Sequence, residues 1–221
     1  MPSLIIFDCD GVLVDSEGLV NEIEAALLSR WGWDVTPAEL RQRFKGRAFG
    51  EIAEIVRSTL GERLPTDWIY EWAMETAAGF HARLRPVPGV RELLQQLRAE
   101  RVPLCVASQS SFARVRLSLA LCGLSDFFAA RIYTASMVPR PKPAPDLFLH
   151  AARALSAEPR ECVVIEDSAS GVLAGMAAGM RVLGFAPDQS SGELARAGAT
   201  VFTKMTDVAA LLRAPSSARE S

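Results

Sequence analysis

Short apolar runs alternate with helix-length segments along most of the chain, and this alternation constrains the fold more than any other feature. The runs are rich in β-branched residues, and they are Leu4–Phe7, Leu104–Ala107, Cys162–Ile165 and Arg181–Phe185. Residues 130–134 and 200–203 are candidates for further strands. Because strands separated by helices form right-handed crossovers, the sequence predicts an α/β fold with a Rossmann-like parallel sheet covered on both faces.

The stretch from 16 to 82 interrupts this alternation. It has no buried-strand pattern, and its apolar residues recur at helical spacing between glycine and proline stops. We therefore predict a helical cap domain over 16–82, inserted into a core made of 1–15 and 83–221. The two linkers, near 15–18 and 84–89, are the expected hinge.

Composition excludes several classes of protein. The 221 residues carry 24 basic and 26 acidic side chains, for a net charge of −2, and no basic stripe stands out, so a nucleic-acid partner is not expected. No apolar run approaches the ~18–20 residues of a membrane helix. The N-terminus lacks the pattern of a signal peptide, and the four cysteines are scattered without a C-x-x-C pair. We expect a cytoplasmic protein with reduced thiols, with a monomer favoured and no membrane partner.

Polar side chains follow the predicted strands at the points where they end. They are Asp8 and Asp10, Ser108 and Gln109, and Glu166 and Asp167, and a proline-rich loop adds Lys142. Each alone could be a helix cap. Together they bring four carboxylates to the edge of a parallel sheet where ligands bind, so a cation should lie among them. Mg²⁺ suits a site made only of oxygen ligands and completed by a substrate phosphate.

These motifs resemble those of the haloacid dehalogenase (HAD) superfamily. The segment Asp8-Cys9-Asp10-Gly11-Val12-Leu13-Val14-Asp15 is similar to its first motif, and Ser108, Lys142 and Glu166-Asp167 match the second, third and fourth in order. The insertion is similar to a C1-type helical cap, and the nearest branch is that of sugar phosphatases and β-phosphoglucomutases. The resemblance covers nearly the whole chain.

The resemblance implies a mechanism and a role for each motif residue. Asp8 would attack phosphorus and form an aspartyl-phosphate, while Asp10 would act as general acid and then as general base. Ser108, Gln109 and Lys142 would bind the phosphoryl group. Mg²⁺ would be held by Asp8, the Asp10 backbone carbonyl and Asp167, with Glu166 acting through water. The implied activity is Mg²⁺-dependent hydrolysis of a small phosphorylated metabolite, and we expect a sugar or sugar-acid phosphate.

Two other functions remain open at this point. One is a β-phosphoglucomutase-like isomerase, but Val20 stands where those mutases carry a cap histidine and Phe49 where they carry a cap arginine, although Arg47 lies nearby. The other is a phosphate-binding module without turnover, which the intact Asp8 and Asp10 disfavour. In the cap, Lys45 and Arg47 belong to a basic segment that we expect to face an anionic or hydroxyl-rich substrate, although a solvated helix end would also explain the arginines.

Overall fold

Residues 1–187 and 191–214, which the computed structural model describes, contain six parallel strands that form one sheet. The strands are β1 (Leu4–Phe7), β2 (Leu104–Ser108), β3 (Ile132–Thr134), β4 (Cys162–Glu166), β5 (Arg181–Phe185) and β6 (Thr200–Phe202). Their order across the sheet is β3-β2-β1-β4-β5-β6, and every neighbouring pair is parallel. The predicted α/β, Rossmann-like fold is confirmed, including the two candidate strands β3 and β6.

The central strand β1 is apolar on both sides because both faces of the sheet are covered. Ile5 and Phe7 pack into one hydrophobic cluster, and Leu4 and Ile6 pack into another on the opposite face. All four are fully buried. The helices that flank the sheet are α5 (Val90–Ala99), α6 (Phe112–Leu121), α7 (Ser125–Phe128), α8 (Asp146–Ala154), α9 (Ala169–Ala177), α10 (Ser191–Arg196) and α11 (Val208–Arg213).

Four helices occupy the insertion between β1 and α5, and we refer to them as the cap helices. They are α1 (Glu17–Arg30), α2 (Pro37–Phe44), α3 (Phe49–Leu60) and α4 (Trp68–Arg83). A separate hydrophobic cluster joins them, built around Leu28, Leu40 and the edge-to-face rings of Trp31 and Trp68. Helix α2 begins with a capping box between Thr36 and Glu39, which explains its start. The predicted helical character of the insertion is confirmed.

The two segments that enter and leave the cap helices lie side by side. Val14 forms an antiparallel bridge with Pro86, the Asp15 N–H donates to the Arg85 carbonyl at 2.9 Å, and the Val87 N–H donates to the Leu13 carbonyl at 3.1 Å. These two hydrogen-bonded segments, which we call the strap, connect the cap helices to the sheet. The domain boundaries at 15/16 and 82/83 stay a prediction, and α4 itself continues to Arg83.

Two further expectations concern the thiols and membranes. All four cysteines are buried and free, as their scattered positions predicted. Within the ranges that the structure describes, no helix combines the length and the apolar character that spanning a bilayer requires.

Candidate active site

A cavity of about 140 Å³ lies where the carboxyl ends of β1, β2 and β4 face the cap helices. Each residue selected from the sequence as a site residue lines this cavity: Asp8, Asp10, Lys45, Arg47, Ser108, Gln109, Lys142, Glu166 and Asp167. The core residues among them either end a parallel strand, as Ser108 and Glu166 do, or lie in a loop that follows one. This placement explains why residues so far apart in the chain meet.

Lys142 lies between two buried carboxylates at the base of the cavity. Its Nζ donates to Asp8 Oδ1 at 2.6 Å, to Glu166 Oε1 at 2.7 Å and to the Ala107 carbonyl at 2.9 Å. Lys142 is only 3% exposed, so three acceptors use all three of its donors inside the protein. Burial raises the pKa of Asp8 to about 7 against the opposing effect of Lys142, and the negative charge of Glu166 adds to the rise.

Glu166 is fixed by the loop that follows β4. Its Oε2 accepts hydrogen bonds from the backbone N–H groups of Asp167 and Ser168 and from the Ser168 hydroxyl, each at 2.9 Å. Helix α9 brings Gly171 so close that a Cβ there would lie 1.8 Å from Glu166 Oε1. Both carboxylate oxygens of Glu166 are therefore bonded to the protein.

Asp10 accepts hydrogen bonds on both carboxylate oxygens. Ser16 and Arg114 donate to Oδ1 at 2.6 and 3.0 Å, and Ser110 donates to Oδ2 at 2.6 Å. Burial would raise the pKa of Asp10, but the guanidinium of Arg114 and the two hydroxyl donors outweigh it, so the pKa is lowered. Asp10 is thus a carboxylate in this state. The two acids of the first motif have different partners and opposite pKa shifts.

Ser108 and Gln109 stand at the end of β2. The Ser108 hydroxyl is almost fully buried and accepts from the Ser110 N–H at 3.1 Å. The side-chain amide of Gln109 donates to the Gly46 carbonyl in the cap loop. The other end of that amide, Oε1, is a buried acceptor that has no hydrogen-bond partner among the residues that the structure describes. An acceptor suits a substrate hydroxyl better than a phosphate oxygen.

The cap loop places Lys45 over the core. Lys45 Nζ lies 3.0 Å from Glu17 Oε1 and 3.5 Å from Asp167 Oδ2, so it bridges a cap carboxylate and a core carboxylate. Burial lowers the pKa of Lys45, but Asp167 and Glu17 outweigh this effect and raise it. Arg47 also lines the cavity, and its Nε donates to the Arg43 carbonyl at 2.8 Å.

Several oxygen atoms of the site suit a hard divalent cation. Burial raises the pKa of Asp167, Lys45 opposes the rise, and Glu166 and Glu17 add to it. Asp8 and Asp167 are thus two buried carboxyls whose ionised forms the protein alone does not fully stabilise. Gly11, at φ +77°, lies against Asp167, where a Cβ would come within 2.3 Å of Oδ2. The oxygens of Asp8, Asp167 and the Asp10 carbonyl match the preference of Mg²⁺.

No complete ligand set of three acidic, histidine or cysteine side chains is formed among the described residues. Glu166 has both of its oxygens engaged by hydrogen bonds within the protein. The expectation that Glu166 acts on the metal through water stays a prediction.

Sequence analysis did not identify Arg114 or Glu24 as site residues. Arg114 lies in the first turn of α6, and Glu24 lies in α1 with only 4% of its surface exposed. Burial raises the pKa of Glu24 to about 7, although Arg114 opposes the rise. Neither residue follows a strand, so only the packing of the cap helices on α6 brings them to the cavity. The sequence signal that could have identified each of them is a charged residue among the apolar positions of a predicted helix.

Comparison with known proteins assigns the family. Residues 2–179 match the haloacid dehalogenase-like hydrolase family model. The chain is 30% identical over 211 residues to the 6-phosphogluconate phosphatase of Escherichia coli K12, covering 95% of this chain and 94% of that protein.

Solved structures agree with this assignment. A HAD family hydrolase from Deinococcus radiodurans, with bound phosphate and sodium, superposes with a TM-score of 0.76 at 33% identity, covering 95% and 94% of the two chains. A protein from Thermotoga maritima that is described as a putative β-phosphoglucomutase superposes with a TM-score of 0.76 at 28% identity, covering 95% of this chain and 97% of that chain. The chain is an enzyme of the haloacid dehalogenase-like hydrolase family.

Proposed function

We propose that the chain is a Mg²⁺-dependent phosphoric monoester hydrolase acting on a small phosphorylated metabolite. The observation that carries this proposal is the contact of Lys142 with Asp8 at the base of the cavity, beside the Ser108 hydroxyl. A carboxylate beside a buried cation and a hydroxyl can attack phosphorus while its neighbours bind the phosphoryl oxygens. The family and the phosphatase among the relatives support the same reaction class.

The reaction takes two steps. In the substrate complex Asp10 must first take up a proton. An oxygen of Asp8 then forms a bond to phosphorus while the bond from phosphorus to the ester oxygen breaks, and Asp10 transfers that proton to the leaving oxygen. The product alcohol leaves, and Asp8 carries the phosphoryl group. Asp10 then takes a proton from water as the water oxygen bonds to phosphorus, which releases inorganic phosphate and regenerates Asp8. Lys142 and Ser108 hold the phosphoryl oxygens in both steps.

Asp8, Asp167 and the backbone carbonyl of Asp10 are the residues that would hold Mg²⁺. When bound, the ion neutralises negative charge that would otherwise repel the substrate phosphate. Glu166 takes part through its hydrogen bonds to Lys142 and to the loop after β4, which keep Asp167 facing the cavity.

The cap side of the cavity favours a sugar phosphate or sugar-acid phosphate. Arg41, Lys45 and Arg47 line it, so a second anionic group on the substrate would meet positive charge. The Gln109 carbonyl adds an acceptor for a hydroxyl. A relative that dephosphorylates 6-phosphogluconate fits this chemistry. We propose that the domain made of 16–82 closes over such a substrate on the strap that joins it to the core. That the enzyme is a cytoplasmic monomer without nucleic-acid or membrane partners also stays a prediction.

Two contacts favour hydrolysis over the isomerase reaction. Val20 lines the cavity where mutases of this family carry a histidine. Phe49 packs against Trp68 and Trp72 within the cap helices, with ring centroids 6.4 and 5.9 Å apart, so it cannot replace a substrate-binding arginine. Neither histidine of the chain lines the cavity.

The test is phosphate release from a panel of sugar phosphates, sugar-acid phosphates and hexose 1-phosphates, with and without Mg²⁺. We expect metal-dependent release, lost at least about 1,000-fold in Asp8→Asn because the nucleophile is removed. Asp126→Asn, an exposed carboxylate of α7, is the control and should keep wild-type turnover. Isomerisation of a hexose 1-phosphate without release would establish the mutase. Ligand binding that both the wild type and Asp8→Asn retain, without turnover of any panel member, would establish the binding module.

A further inference from the structure

Arg114 lines the cavity from the first turn of α6. Its Nη2 donates to Asp10 Oδ1 at 3.0 Å, and its guanidinium lies over the ring of Phe80 in α4, 5.2 Å from the ring centroid. The Ser111 hydroxyl accepts from the Arg114 backbone N–H and caps α6, which fixes where the side chain starts. The backbone of Arg114 is thus fixed by the core, while its guanidinium packs against a cap helix.

Each acid of the first motif therefore has a cation of its own. Lys142 lies 2.6 Å from Asp8, and Arg114 lies 3.0 Å from Asp10. The Ser16 and Ser110 hydroxyls complete the shell of Asp10, but they carry no charge. Without Arg114, the Asp10 carboxylate would be repelled by Asp8 and attracted towards Lys142.

Direct binding of substrate phosphate is the competing role for Arg114. Its Nε atom is buried and has no hydrogen-bond partner within residues 1–187 and 191–214, and its Nη2 is already bonded to Asp10. Glu24, a buried carboxyl of α1, adds negative charge beside the guanidinium when it is ionised. An incoming phosphate dianion would have to compete with the Asp10 carboxylate for Arg114.

We propose that Arg114 is a positioning residue that holds the Asp10 carboxylate on the leaving-group side of the cavity, apart from Asp8 and Lys142. The inference rests on the proposed function in one respect, namely that Asp10 transfers the proton. Because Phe80 and Ser16 belong to the cap and its linker, this position of Asp10 also depends on how the cap helices pack on α6.

The first test compares two substrates by kcat/KM, which reports the steps up to formation of the phosphoenzyme. An alkyl phosphate has a leaving group that needs a proton, whereas 4-nitrophenyl phosphate does not. In Arg114→Leu we expect a loss of about 100-fold or more on the alkyl ester, the lower range of general acid catalysis, and less than about fivefold on the aryl ester. Asp10→Asn should show the same selectivity, and Arg114→Lys should restore part of the alkyl activity.

Arg116→Leu is the matched control, because Arg116 is exposed on the same helix and lies over Phe112 instead of a cap residue. It should keep both activities. An equal loss on both esters in Arg114→Leu, or a rise in KM alone, would assign Arg114 to phosphate binding and overturn the proposal.

The second test does not depend on turnover. A crystal structure of Arg114→Leu should show the Asp10 carboxylate displaced from Ser110 and Ser16, and Arg114→Met, which also removes the charge, serves if the leucine variant does not fold. An Asp10 carboxylate that keeps both serine contacts in the variant would overturn the proposal. A wild type that hydrolyses no phosphate ester would remove the proposed function, while the crystal structure would still decide whether Arg114 positions Asp10.

Discussion

The Ser170 hydroxyl donates a hydrogen bond to the Gly46 carbonyl at 3.0 Å, joining α9 of the core to the loop between two cap helices. Gln109 donates to the same carbonyl from the end of β2. Gly46 has a φ of +72°, a backbone conformation that favours glycine. A Cβ at this position would also lie only 2.6 Å from Ser170 Oγ, so the contact requires glycine. One cap carbonyl thus meets two core residues beside the active site.

Removing the Ser170 hydroxyl should weaken the closed state of the cap. A hydrogen bond of this kind contributes about 0.5–1.5 kcal/mol, so Ser170→Ala should raise KM by roughly 2- to 12-fold. Steady-state kinetics on the best substrate of the panel measures this. Ser58→Ala is the control, since Ser58 bonds only to a carbonyl of its own helix. An unchanged KM in Ser170→Ala would show that the contact does not support closure.

Removing the Lys142 charge should destabilise the metal-free protein. Asp8 and Glu166 would be left as buried carboxylates without a cation, which costs about 3–5 kcal/mol in the free energy of unfolding. Urea denaturation of Lys142→Met in a chelator measures the loss. Lys204→Met replaces an exposed lysine and should change stability by less than about 0.5 kcal/mol. Equal stability of the two variants would contradict the role that we give to Lys142.

Glu24 should make stability fall as pH rises. Burial raises the pKa of Glu24 to about 7 in the folded protein, against 4.5 for an ordinary glutamate. The folded state therefore holds a proton that the unfolded state has lost, so the stabilisation is full below about pH 4.5 and disappears as pH passes 7. The free energy of unfolding of Glu24→Gln, relative to wild type, should rise by up to about 3 kcal/mol between pH 4.5 and 8.

Urea denaturation at several pH values measures this difference. Glu54→Gln, an exposed change in α3, should follow the pH profile of the wild type. A constant difference between Glu24→Gln and wild type across this range would exclude a buried proton at Glu24.

Mg²⁺ should stabilise the protein through Asp8 and Asp167 even without substrate. A ligand at ten times its Kd adds about 1.4 kcal/mol to the free energy of unfolding, which raises Tm by a few degrees. Thermal denaturation with increasing Mg²⁺ measures the shift. Asp167→Asn should abolish it, while Asp126→Asn should keep it. A full shift in Asp167→Asn would place the ion elsewhere.

The core of the site could be predicted from sequence because a parallel sheet converts chain order into position. Asp8, Ser108 and Glu166 each follow or end a buried strand, so the sheet edge alone brings them together. Arg114 and Glu24 could not be predicted in this way, because they lie on helices whose contact depends on how the cap packs. The same limit applies to Lys45, whose bond to Glu17 and contact with Asp167 appear only once the cap helices are placed over β4.

The bridge between Val14 and Pro86 has a consequence for how such an enzyme diversifies. The chain leaves the core and returns to it at neighbouring points, so everything between those points is a cassette. Its length and contents can change without moving the ends of β1 or α5. We therefore expect an exchanged cassette to bring a new substrate specificity to the same sheet edge, provided that it keeps the contacts that Ser16 and Phe80 make with Asp10 and Arg114.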